Sequence, residues 1–110
     1  MGKEPQLILR KQDNGTEVKV KAGQSIQIEL EAMGGTGYWW YMRSTDARYL
    51  ELLGEKTVTQ EKGRVGGQVL AIWTFQAKRP GITEVKMNYY RSWEGVERAI
   101  DKFRVKIAIE

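Results

Sequence analysis

The chain has 110 residues, 18 of them Lys or Arg and 14 Asp or Glu, for a net charge of +4. That length holds one domain with its own core and not two, so residues 1–110 read as a single domain. The absence of Cys and His removes disulfides, thiolate nucleophiles, the commonest general base and the commonest metal ligands.

The opening residues, Met1-Gly2-Lys3-Glu4-Pro5-Gln6, lack the apolar core of a secretory signal and the Ser or Thr of a myristoylation site. Two locations stay open: the cytoplasm, or export to the periplasm or beyond with a signal removed. No stretch reaches the ~20 apolar residues of a membrane helix. From there on, period-2 alternation dominates. Leu7 and Leu9 alternate with Gln6, Ile8 and Arg10, and Asn14-Gly15 is a hairpin signal. Val18 and Val20 form the next strand, and Ala22-Gly23-Gln24 turns the chain. Ile26, Ile28 and Leu30 then point one way, and Gln27, Glu29 and Glu31 the other. An aromatic strand follows over 38–43. Residues 45–48 read as a turn or one helical turn, with short strands expected over 49–53 and 56–60. Val69, Ala71, Trp73, Phe75 and Ala77 share a face, and Arg79-Pro80-Gly81 is a turn. Thr83, Val85, Met87 and Tyr89 share the next face, and Phe103, Val105, Ile107 and Ile109 the last. Some seven to nine strands with turns every 8–12 residues predict an all-β, immunoglobulin-like β-sandwich.

Three Gly-and-aromatic loops interrupt this pattern: Gly34-Gly35-Thr36-Gly37-Tyr38-Trp39-Trp40, then Gly63-Arg64-Val65-Gly66-Gly67, then Tyr89-Tyr90-Arg91-Ser92-Trp93-Glu94-Gly95. Glycine permits positive φ and close approach, and Trp, Tyr and Arg are the usual anchors of binding interfaces. Trp40 and Trp73 lie on apolar strand faces and are assigned to the core. Trp93 sits in a turn without an alternating partner and is assigned to the surface, where a large ring marks an interaction site.

Catalysis has little to work with. A Ser or Thr nucleophile would lack its His base, and the acids mostly occupy outward strand positions such as Glu29, Glu31 and Glu84. No acidic loop resembles a calcium site, so neither metal nor cofactor is expected. Asn14-Gly15-Thr16 matches the glycosylation sequon but reads as a turn. Tyr89-Tyr90-Arg91 and Tyr41-Met42-Arg43 place rings beside cations, as single-strand binders do. Acids interleave with the bases around Arg98 and Lys102, however, so nucleic acid is not the expected partner. An immunoglobulin-like module for another protein or a carbohydrate is the stronger alternative.

In order and content the loops resemble those of the chagasin-like inhibitors of papain-family cysteine proteases. That family has an immunoglobulin-like sandwich with three loops at one end: Asn-Pro-Thr-Thr-Gly-Tyr/Phe, a Gly-rich second loop, and Arg-Pro-Trp/Phe. The first maps onto Met33-Gly34-Gly35-Thr36-Gly37-Tyr38, where Thr36, Gly37 and Tyr38 match. The second maps onto Val65-Gly66-Gly67 followed by Trp73-Thr74-Phe75, and the third onto Arg91-Ser92-Trp93. Both loop prolines are replaced, here by Gly34 and Ser92, which removes φ constraints and predicts looser tips.

The resemblance implies a reversible, non-covalent plug, acting as a monomer on a papain-like cysteine protease, with no membrane involvement. Gly34, Gly35, Thr36, Gly37 and Tyr38 would enter the cleft centre. Arg91, Ser92 and Trp93 would pack on one side, and Gly66 and Gly67 on the other.

Overall fold

The computed structural model describes residues 6–59 and 67–110. The expectations for residues 1–5, 60 and Gly63-Arg64-Val65-Gly66 lie outside the described residues. Eight strands occur among those described: β1 (Leu7–Arg10), β2 (Glu17–Val20), β3 (Ser25–Met33), β4 (Tyr38–Ser44), β5 (Leu50–Thr59), β6 (Gln68–Ala77), β7 (Gly81–Arg91) and β8 (Asp101–Ile109). Short 3-10 turns occupy Lys11–Asp13 and Val96–Arg98. The strands form two four-stranded sheets, ordered β1-β3-β6-β5 and β2-β8-β7-β4. This is the expected all-β sandwich.

Alternation produces the core directly. Ile26, Ile28 and Leu30 of β3 register against Phe75, Trp73 and Ala71 of β6, and all six are buried. Val85 and Met87 of β7 register against Val105 and Phe103 of β8, and these four are buried too. The two inner faces meet, as in sandwiches generally. Trp40 and Trp73 are core residues, 4% and 3% exposed, while Trp93 is 70% exposed. The buried Trp40 indole N–H donates to the Glu31 carbonyl at 3.0 Å, which removes the penalty for enclosing it.

Two expectations need correction. Asn14-Gly15 is no hairpin, because β1 pairs in parallel with β3 in one sheet and β2 in parallel with β8 in the other. The turn instead carries the chain between sheets. It is held by β8: Asn14 Oδ1 accepts the Arg104 N–H at 2.8 Å, and the Gly15 N–H donates to the Arg104 carbonyl at 2.6 Å. The separate strands expected over 49–53 and 56–60 are one strand, β5. A register shift between Leu52 and Gly54 absorbs the irregular sequence as a β-bulge does. The turn expected over 45–48 lies at 47–49, closed by the Tyr49 and Leu50 N–H groups on the Asp46 carbonyl at 3.0 and 2.9 Å.

Register decides where the loops go. Met33 at the end of β3 faces Gln68 at the start of β6, and Thr59 at the end of β5 faces Val69. Tyr38 at the start of β4 faces Arg91 at the end of β7. The connections β3–β4, β5–β6 and β7–β8 therefore leave from one end of the sandwich.

Candidate functional site

At that end the first and third loops are joined by side-chain chemistry. The Arg91 Nε–H donates to the Thr36 carbonyl at 2.9 Å. Its guanidinium carbon lies 4.4 Å from the Tyr38 ring centroid and 5.9 Å from that of Trp93, within the range of cation–π attraction. Glu94 Oε2, 3.6 Å from Arg91 Nη1, holds the other side of the fork. Trp93 itself lies on Gly37. A Cβ added there would sit 2.1 Å from Trp93 Cη2, so only glycine leaves the indole its place. Gly37 also has φ +85°, which a side chain disfavours.

The first loop has its own internal frame. The Thr36 hydroxyl donates to the Met33 carbonyl at 2.9 Å and accepts the Tyr38 N–H at 3.2 Å. Below it, the Met33 N–H donates to the Tyr89 hydroxyl at 3.1 Å, and the Tyr89 ring stacks on Tyr38 at 5.5 Å and packs against Trp40 at 4.8 Å. Gly67, the described residue of the second loop, accepts the Gly34 N–H at 3.0 Å. The looser tips expected from the missing prolines are thus offset: each of these bonds adds roughly 0.5–1.5 kcal/mol of order, and none needs a partner molecule.

The nine described residues of the expected site fall into two groups. Gly35, Gly37, Ser92 and Trp93 are exposed. Gly34, Thr36, Tyr38, Gly67 and Arg91 are half-buried. Gly66, the tenth, lies outside the described residues. Sequence reasoning missed Tyr89 and Glu94 as the second layer of support. Tyr89 was placed on a strand face and at the start of the third loop, and neither its hydroxyl bond to Met33 nor the grip of Glu94 on Arg91 leaves a periodic signal. It did not single out Val96 and Ile100, apolar side chains exposed by 42 and 63%. Among the described residues no group of His, Cys, Asp or Glu is arranged to hold a metal.

Residues 19–107 match the model of the chagasin family of peptidase inhibitors, I42. The chain belongs to that family. It is accordingly an inhibitor of cysteine proteases and not an enzyme. No curated protein matches this chagasin-family chain significantly in sequence. Its fold is shared with the cysteine protease inhibitor EhICP2 of Entamoeba histolytica, at 20% identity and a TM-score of 0.86 over 96% of each chain. Amebosin is similar at 21% identity and 0.79, covering 97% of this chain and all of the other. PbICP-C, solved in complex with falcipain-2, is similar at 17% identity and 0.61, over 96% and 90%. At such identities these likenesses speak for the fold of the chagasin-family domain, and the site's working rests on its own geometry.

Proposed function

We propose that this chagasin-family chain inhibits papain-type cysteine proteases reversibly and without covalent chemistry, by seating its three-loop end in the active-site cleft. The observation that carries the reading is the seating of Trp93 on Gly37 with Arg91 bonded to Thr36. It makes the first and third loops one preformed surface, and preorganisation of that kind lowers the ordering cost of association. PbICP-C, described in complex with falcipain-2, supports a protease partner.

In this reading Gly35 and Gly37 let the main chain approach the catalytic Cys and His, and the Trp93 indole packs flat beside it. An interface of about 800 Å² per partner is typical for inhibitors of this kind. A protease substrate must present a carbonyl to the thiolate. The Thr36 carbonyl is engaged by Arg91 and its hydroxyl by Met33, so the peptide following Thr36 stays within the inhibitor's own bonding network and is not offered for attack. With no cysteine in the chain, a mixed disulfide with the enzyme is impossible. The remaining expectations, a monomer with neither nucleic acid nor membrane as partner, belong to the same reading.

Protection of the enzyme's thiol tests it. With an equimolar amount of the chain, papain's active-site cysteine should resist iodoacetamide, recover its reactivity on dilution, and leave the inhibitor's mass unchanged. Alkylation at the free-enzyme rate, or cleavage beside Thr36, would rule the mechanism out.

A further inference from the structure

The outer face of the β2-β8-β7-β4 sheet carries charge that the three-loop end does not use. Lys86 of β7 stands directly opposite Arg104 of β8, and Asn88 opposite Lys102. Like charges in facing positions weaken a sheet, yet no acid interrupts this pair. Arg43, at the register shift that follows Met42 in β4, brings another cation to the same place. Arg43, Lys86, Lys102 and Arg104 line one depression of about 380 Å³, walled on one side by Asn14 and Gly15, with no carboxylate in its lining. Lys86 Nζ is paired with Glu84 Oε1 at 3.7 Å. Arg43, Lys102 and Arg104 form no ion pair with any described residue.

The floor of the depression points the same way. Asn88 is 4% exposed, but its amide makes no hydrogen bond to a described residue. Every fully enclosed side-chain N or O among the described residues has a partner. The Asn88 amide therefore keeps its remaining access through the depression it lines. A buried amide in this state is a donor waiting for an acceptor. In the linear sequence these cations are dispersed among acids, and only the strand register gathers them.

We propose that this depression binds a polyvalent oxyanion, a ligand bearing more than one sulfate or phosphate group, independently of the three-loop end. Arginine forks and lysine ammonium groups are the side chains that recognise such groups, and four of them on one wall exceed what a single carboxylate would need. Lys86 lies five positions before Arg91 on β7, roughly 17 Å at the rise of a strand. The face is lateral to the cleft-facing end, so both can be filled at once, and an inhibitor held on a sulfated or phosphorylated matrix stays active.

The test is calorimetric titration of the purified chain with two probes, a trisulfated disaccharide and inorganic tripolyphosphate, at low salt. Amide NMR shifts follow the same titrations. Saturable one-to-one binding of either probe is expected, with shifts confined to Asn14, Gly15, Arg43, Lys86, Asn88 and residues 102–104. The tighter probe tells sulfate from phosphate as the source. Lys86→Gln combined with Arg104→Gln should weaken binding at least tenfold, whereas Lys56→Gln combined with Lys78→Gln, which removes equal charge elsewhere, should not. The first pair should also raise the melting temperature of the free chain, because it relieves the facing charges. A merely structural role for the two cations would lower it. Trp93→Ala should leave probe binding intact. Absence of saturation with both probes, or equal losses in the two double variants, overturns the proposal.

Discussion

Gly37→Ala strikes the contact on which the binding surface depends. The new methyl would lie 2.1 Å from Trp93 Cη2 and 3.0 Å from Cζ2 and Cζ3. Carbon atoms rest about 3.5–4.0 Å apart, so the indole must retreat by roughly 1.5 Å or swing away. Trp93 is 70% exposed, which leaves the ring room to move among the described residues. The fold then bears mainly the cost of a side chain at φ +85°, about 1–2 kcal/mol, or about 4–10 °C in melting temperature for a domain of this size. Binding suffers differently. As a buried anchor, Trp93 should be worth about 2 kcal/mol or more, so Trp93→Ala alone should raise the inhibition constant about 30-fold. Gly37→Ala displaces the same ring and should do the same. If the two act through one contact, the double variant should stay within about 30- to 100-fold, far short of the roughly 1000-fold of independent effects. Steady-state inhibition of papain by the four proteins, with thermal melts as the control on folding, measures the cycle. A double variant near the product of the singles, or a Gly37→Ala chain that inhibits like the parent, would refute the seating of Trp93 on Gly37 as the determinant.

Arg91→Lys keeps the charge but loses the planar fork that bonds the Thr36 carbonyl while stacking on Tyr38. Inhibition should weaken about tenfold, the equivalent of roughly 1.4 kcal/mol, with faster amide exchange at residues 34–38 as the accompanying sign. Thr36→Val removes the hydroxyl bonds to Met33 and Tyr38 at about 1–3 kcal/mol in total, and Thr36→Arg should be worse because charge and bulk enter the centre of the cleft. Both are read by titration against papain. Away from the site, hydrogen bonds from the Arg48 side chain and backbone lower the Asp46 carboxyl from 3.8 to about 2. A depressed carboxyl contributes stability above its unfolded value and loses it as pH falls through its folded one. Asp46→Asn should therefore melt slightly below the parent at pH 6, with the gap closing between pH 3.8 and about 2. Equal melting temperatures at pH 6 would show that this exposed pair contributes nothing.

Local alternation carried most of the fold. Ile26, Ile28 and Leu30 on one side and Phe103, Val105, Ile107 and Ile109 on the last strand are readable as inner faces because a side-chain period of two leaves no other assignment. The same logic separates Trp40 and Trp73 from Trp93. It fails where pairing is non-local. Asn14-Gly15 carries every mark of a hairpin, and only the parallel partners of β1 and β2, in different sheets, reveal a crossover. The continuity of β5 depends on a bulge opposite β6, which composition does not announce. At the site, the glycines and aromatics of the loops were legible as types. The roles of Arg91 and Tyr89 were not, because Thr36 and Met33 are 55 and 56 positions away from them. Arg91, expected to meet the protease, is half-buried beside Thr36, Tyr38 and Glu94, and these contacts tie the third loop to the first.

A domain whose first and third loops meet at one end through backbone register, and are locked there by Arg91 and Gly37, should obstruct a groove as a single body. The most direct measurement is the kinetics of papain inhibition by the purified chain. Competitive inhibition that is relieved on dilution, and weakened by Trp93→Ala and by Thr36→Arg alike, is the expected result. Inhibition indifferent to both substitutions, or a pattern in which substrate does not compete, would place the contact elsewhere on the molecule and contradict the account.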